Sequence, residues 1–72
     1  MTKQELIDIA SGIQASNWIK MGDAEEFERD AKKQFMRRAL QIFTKGELIN
    51  RIKNTTIYDK DLEDAVAGLG LR

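Results

Sequence analysis

Apolar residues recur three or four positions apart along most of the chain, which is the spacing of one face of an α-helix. In the first stretch they are Leu6, Ile9, Ala10 and Ile13. A capping box precedes them, because the Thr2 hydroxyl can accept from the amide of Glu5 while the Glu5 carboxylate accepts from the amide of Thr2. We therefore predict a first helix over residues 3 to about 16, extending at most to Trp18.

The second stretch carries two sets of apolar residues and predicts the central helix of the fold. The main set is Phe27, Ala31, Phe35, Ala39 and Ile42, and the second set, on an adjoining sector, is Met36, Leu40 and Phe43. Together they cover well over half of a helical wheel, whereas a surface helix has an apolar stripe on the order of 100° wide. With Asp23 and Glu26 as a capping pair, we predict a long central helix at about residues 24–44. We expect Phe35 and Ile42 to lie in the core.

Two shorter helices are predicted after this one. Thr44 and Glu47 form another capping box, so we expect a break at Gly46, the alternative being one kinked helix. A short apolar face follows at Leu48, Ile49 and Ile52, and the last helix has inward residues Leu62, Ala65, Val66 and Leu69. Its first turn is acidic, which complements the helix dipole. The predicted fold class is all-α, a compact bundle of three to four helices in a single domain spanning residues 1–72.

Composition narrows the chemistry available to the chain. Its 72 residues include no cysteine, no histidine and no proline. Disulfides, thiolate ligands and imidazole bases are therefore absent, and a chain this short buries only about 60% of its unfolded surface. Stability must come from tight helix packing or from oligomerisation. We expect a protein that is not an enzyme and has no cofactor, no metal and no small-molecule substrate.

Two local motifs and the hydropathy pattern further limit the possible functions. Residues 59–64 resemble a calcium loop, but Asp64 and Gly70 stand where that loop needs a glycine and a glutamate. We interpret Trp18 as covering the edge of the core rather than as a partner anchor.

The apolar runs fall far short of the ~20 residues of a membrane span, and no secretion signal is visible. We expect a soluble, cytoplasmic protein.

Positive charge is concentrated between residues 31 and 54, with seven basic residues and one acid, although the chain has twelve of each sign. Bases near helix C-termini complement the helix dipole, but this effect is confined to the last turn. Lys33 and Arg37 lie further in as a like-charged i,i+4 pair, and Arg38 falls on the apolar side of the wheel. The candidate partner-binding residues on this basic face are Lys32, Lys33, Arg37, Arg38, Arg51 and Lys53.

The segment from residue 54 to residue 70 resembles the last loop and helix of histone-fold proteins. The matching positions are Thr56, Ile57, Asp61, Leu62 and Ala65. The resemblance covers about a quarter of the chain, and Gly46 departs from the uninterrupted central helix of that fold. It implies an obligate dimer with a basic surface that faces DNA.

Two functional hypotheses follow from these patterns. The first is a non-enzymatic regulatory or accessory protein that binds a protein partner or itself through helix surfaces, with a homodimer as the expected state. The alternative is a protein that binds duplex DNA through the basic face of residues 32–53. The neutral net charge favours the first hypothesis, because phosphate binders usually carry a net positive field.

Overall fold

Four α-helices and two short 3-10 turns make up the fold, and no strand is present. The computed structural model describes all residues from Met1 to Arg72. The helices are α1 (Lys3–Lys20), α2 (Arg29–Ala39), α3 (Lys45–Asn54) and α4 (Lys60–Gly68), and the 3-10 turns Glu26–Glu28 and Leu40–Ile42 flank α2. The predicted all-α class is confirmed. None of the helices combines the length and the apolarity that crossing a bilayer requires.

The central helix is α1, so the prediction of a central helix at residues 24–44 is wrong. Eight residues of α1 are buried, namely Leu6, Ile7, Ala10, Ser11, Ile13, Ala15, Ser16 and Asn17. By contrast α2 buries only Met36. Half of the buried positions on α1 are alanine or serine, whose small side chains let neighbouring helices approach closely. Helices α2 and α3 both pack on α1.

Helix α2 faces the core with the second of its two apolar sets, which corrects the predicted orientation. Met36 and Leu40 join the hydrophobic core, while Phe35 and Ile42 are exposed. A helical wheel shows that α2 has two apolar sectors, but it gives no information about which of them packs against the other helices. Because Met36 and Leu40 meet a cluster formed by α1, α3 and α4, the sector of Phe35 is left facing outward.

The capping signals at α1 and α3 are confirmed. Glu5 and Glu47 each accept from the backbone amide of the N-cap threonine, at 2.9 and 2.8 Å, and the threonine hydroxyls accept in return. Gly46 therefore lies in the first turn of α3, after a true break. Helix α1 runs on to Lys20, past its predicted end, and is terminated by Gly22 at a φ of 82°.

Three local expectations in the remaining chain need correction. The capping pair predicted at Asp23 and Glu26 is replaced by one shifted two residues along, in which the Glu25 amide donates to the Glu28 carboxylate at 2.8 Å. In α4 only Val66 is fully buried, and Ala65 and Leu69 face solvent. With α2 ending at Ala39, the long central helix implied by the histone-fold resemblance is absent.

The segment between α3 and α4 is attached to α1 by the buried side chain of Asn17. The Asn17 Nδ2 donates to the Thr56 carbonyl at 2.7 Å, and the Tyr58 amide donates to Asn17 Oδ1 at 3.2 Å. Ile57, between these two residues, is buried in the core. A single amide thus sets the path by which the chain enters α4, whose N-cap Asp59 accepts from the amides of Asp61 and Leu62.

The two capping boxes predict how stability depends on pH. Hydrogen bonds from the backbone amides of Thr2 and Thr44 hold the pKa values of Glu5 and Glu47 below their usual 4.5. A carboxyl group with a lowered folded-state pKa stabilises the fold above its unfolded-state pKa, and this contribution is lost as pH falls through the folded-state value. We expect the double substitution Glu5→Gln with Glu47→Gln to reduce the loss of thermal stability between pH 6 and pH 3.

The matched control for this measurement is Glu63→Gln, because the Glu63 carboxylate makes no hydrogen bond or ion pair within the chain. Thermal melts followed by circular dichroism at several pH values would compare the three proteins. If the double variant and the control had the same pH profile as the native chain, the two boxes would make no contribution to acid stability.

Candidate functional site

The outward side of α2 and of its flanking turns carries a continuous row of apolar side chains. We call this row the outer stripe and define it as Phe27, Ala31, Phe35, Ala39 and Ile42. The exposed fractions of its large members are 87% for Phe27, 61% for Phe35 and 84% for Ile42. Within α2 the four-residue spacing puts Ala31, Phe35 and Ala39 on one side of the helix, and Phe27 and Ile42 lie in the flanking 3-10 turns. Two of the three phenylalanines of the second stretch therefore face solvent, whereas Phe43 packs against the core.

Trp18 of α1 supports the middle of the outer stripe. Its ring centroid lies 6.4 Å from that of Phe35, at an interplanar angle of 50°. The ammonium group of Lys32 lies 5.7 Å from the tryptophan ring, within the range of a cation–π interaction. Trp18 is half-buried and packs against the core, as predicted. Phe35 is thus held in position on one side and open to solvent on the other.

Arg38 lies on the same side of α2 as the outer stripe. Its side chain is exposed, and its guanidinium makes no ion pair or hydrogen bond within the chain. An arginine presents a planar array of donors that matches a carboxylate or a phosphate. The outer stripe therefore combines apolar surface with one uncompensated cation near its C-terminal half.

The other candidate basic residues are distributed over two helices. On α2, Lys33 pairs with Asp8 of α1 at 3.1 Å, and Arg37 borders a shallow groove beside the same aspartate. On α3, Arg51 donates to Gln14 of α1 at 3.3 Å. Lys53 is exposed and has no partner in the chain.

The basic residues of α2 are therefore not brought into contact with those of α3. Lys32 and Lys33 are each engaged with a group of α1, which leaves less of their surface open to an external partner. Binding of duplex DNA by the basic face of residues 32–53 stays a prediction.

Charge reverses sign along α2 and its flanking segments. Residues 23–30 contain five acids and one base, for a net charge of −4, whereas residues 31–45 contain five bases and no acid, for a net charge of +5. The outer stripe crosses this boundary, with Phe27 in the acidic part and Ile42 in the basic part. Because Lys32 and Lys33 are engaged with α1, the free charge beside the stripe in the basic part is that of Arg38, which is opposite in sign to Asp30 in the acidic part.

A second feature is a groove of about 410 Å³ among α1, α2 and α4. It is lined by Gly12, Ala15, Ser16, Arg29, Lys33, Asp59, Asp61, Leu62 and Ala65. Its two cations are already engaged, since Arg29 pairs with Glu26 at 2.7 Å and Lys33 with Asp8. The Ser16 hydroxyl has no hydrogen-bond partner but is itself buried. No group of acidic side chains here has an arrangement that would hold a metal ion.

Sequence reasoning identified the outer stripe as apolar but assigned it to the interior. The available signal for the opposite orientation was Arg38, because a guanidinium within an apolar sector indicates that this sector borders water or a polar partner. No protein-family model, no curated protein and no solved structure matches this chain, so its function is inferred from its own surface.

Proposed function

We propose that this protein is a small helical interaction module that binds a protein partner through the outer stripe of α2 and has no catalytic activity of its own. The observation that carries the proposal is the exposure of Phe27, Phe35 and Ile42 along α2 and its two flanking 3-10 turns. Single exposed apolar residues are normal on a protein surface, whereas a contiguous apolar row marks an interaction site.

The size of the outer stripe suits reversible association. A phenylalanine buries ~150–250 Å² when fully covered, so its three large side chains offer on the order of 450 Å². Burial of each is worth roughly 1.5–3 kcal/mol before the cost of association is subtracted. What is left after that cost corresponds to a weak, reversible contact.

The surroundings of the stripe favour a specific contact over a non-specific one. Trp18 limits the freedom of Phe35, so less side-chain entropy is lost when a partner covers the ring. The unpaired Arg38 guanidinium and the charge reversal along α2 would orient the partner and exclude surfaces of the wrong sign.

A site-specific photo-crosslinker tests the proposal. The residue p-benzoylphenylalanine would replace Phe35 in one protein and Tyr58 in another, expressed in the organism that makes the chain. Tyr58 is the matched control, because it is also aromatic, is 54% exposed against 61% for Phe35, and lies outside α2. We expect light-dependent adducts from position 35 that are absent from position 58. Equal adducts at the two positions, or none at position 35, would contradict the proposal.

A further inference from the structure

We infer that the partner covering the outer stripe is a second copy of this chain, with the two α2 helices packed antiparallel about a two-fold axis near Phe35. This inference rests on the proposed function and specifies the partner at the same site. Two-fold dimers use the same patch on both subunits, so that patch must be complementary to itself when one copy is rotated by half a turn. The outer stripe meets this condition in charge and in shape.

The charge distribution selects the antiparallel arrangement. Residues 23–30 carry a net charge of −4 and residues 31–45 a net charge of +5. When two such helices run in opposite directions, the acidic part of each lies beside the basic part of the other. A parallel pair would place Arg38 beside Arg38 and Asp30 beside Asp30, and like charges in contact disfavour that arrangement. One helix therefore contains both halves of a complementary surface.

The order of side-chain sizes along the outer stripe fits the same arrangement. Rotation about a point between Gln34 and Phe35 brings Phe27 of one copy to Ile42 of the second copy. The two Phe35 rings then meet at the axis. Ala31 and Ala39 lie between these large residues, and their small side chains leave room for the opposing helix. Large residues thus face the ends and the centre, with small ones between them.

The same rotation provides a partner for Arg38. It brings Arg38 of one copy opposite Ala31 of the second copy, one residue from Asp30. Both Arg38 and Asp30 are exposed, and neither side chain has an ion pair or hydrogen bond within its own chain. Because the axis relates the two copies, the pairing occurs twice. This accounts for a guanidinium that the isolated fold leaves unpaired on an apolar side.

The area predicts a reversible dimer. With on the order of 450 Å² of apolar side chain from each copy, the contact buries roughly 900–1,200 Å² in total once flanking groups are included. This is the low end of the range for specific interfaces, in which association is weak and concentration-dependent. The expected species are therefore a monomer at low micromolar concentration and a dimer at higher concentration.

Sedimentation equilibrium over a range from about 1 μM to 1 mM tests the inference, and charge reversal defines the geometry. We expect Arg38→Glu and Asp30→Lys each to raise the dimer dissociation constant about tenfold, as the loss of close interfacial charge pairs does. Their combination in one chain should return the constant to within about threefold of the native value, because the pair is restored with its signs exchanged. Phe35→Glu should abolish the dimer.

Two controls keep these outcomes distinct. Lys60→Glu changes an exposed charge on α4 and should leave the dimer unchanged, and far-UV circular dichroism of every variant should show a native helix content. A native chain that stays monomeric at 1 mM overturns the inference, and so does a dimer that survives Phe35→Glu or is not restored by the double reversal. If the photo-crosslinker at position 35 then captures a different protein, the proposed function stands and the self-pairing is wrong.

Discussion

Leu40→Ala is expected to remove a large part of the protein's free energy of unfolding. Leu40 is 1% exposed and belongs to the core cluster that joins α1, α3 and the end of α2. Truncation of a fully buried leucine costs ~2–5 kcal/mol, because it removes apolar contacts and leaves a cavity. A domain of this size has a free energy of unfolding near the low end of ~5–15 kcal/mol. Urea denaturation followed by circular dichroism measures the loss.

The matched control is Phe35→Ala, five residues earlier on the same segment. Phe35 is 61% exposed, so its removal should change the free energy of unfolding by less than about 1 kcal/mol. The comparison should be made at a few micromolar protein, where we expect the chain to be monomeric. If Phe35→Ala were the more damaging of the two substitutions, the buried and exposed sectors of α2 would be exchanged relative to the structure.

Asn17→Ala is expected to cost ~2–3 kcal/mol, although the change removes only a few atoms. The Asn17 amide is buried and satisfies both the Thr56 carbonyl and the Tyr58 amide. Without it, two backbone groups beside the core lose their partner, and each unsatisfied buried group costs ~1–3 kcal/mol. Entry of water would recover part of this free energy. The loss is measurable by urea denaturation.

Asn50→Ala provides the control for Asn17→Ala. Asn50 is exposed, and its side chain accepts only from the side chain of Asn54 at 2.9 Å. Its removal should change stability by less than about 0.5 kcal/mol. Hydrogen exchange adds a local test, since the amide of Tyr58 should lose protection in Asn17→Ala first. Equal stability of the two variants would mean that Asn17 does not hold the segment before α4.

The features that sequence predicted correctly are those that depend on neighbours in the chain. The capping boxes at Thr2 and Thr44 each join residues three positions apart. The box at Thr44 also marks the break before α3. The acidic start of α4 is equally local, because a side chain there acts on the amides of its own first turn. These interactions join residues that are close in the chain and need no tertiary contact, which is why residue type and spacing suffice to predict them.

Apart from the capping pair at Asp23 and Glu26, the features that sequence predicted wrongly depend on contacts between helices. The hydropathy pattern did not identify α1 as the central helix, because it counts Ser11, Ser16 and Asn17 as polar. In the structure these three residues are buried beside the apolar residues of α1. Ser11 and Ser16 are small polar residues that the fold buries, and Asn17 is satisfied by a segment about forty residues away. Small size and a distant hydrogen-bond partner are not visible in a local pattern.

The candidate site combines both kinds of information. The residues of the outer stripe and the reversal of charge along α2 are properties of the sequence and were readable from it. Which of the two apolar sectors faces outward is decided by the surface presented by α1, α3 and α4. Sequence analysis therefore identified the apolar and basic residues concerned but placed the apolar ones inside the protein.

The central position of α1 determines when the chain can fold during synthesis. This helix emerges from the ribosome before every segment that covers it, and its buried face contacts residues as late in the chain as Val66 and Leu71. No nascent chain that ends before Leu71 can complete the core, so the apolar residues of α1 stay exposed until Leu71 has been synthesised. Until that point the nascent chain offers an apolar helix to chaperones and to other unfinished chains.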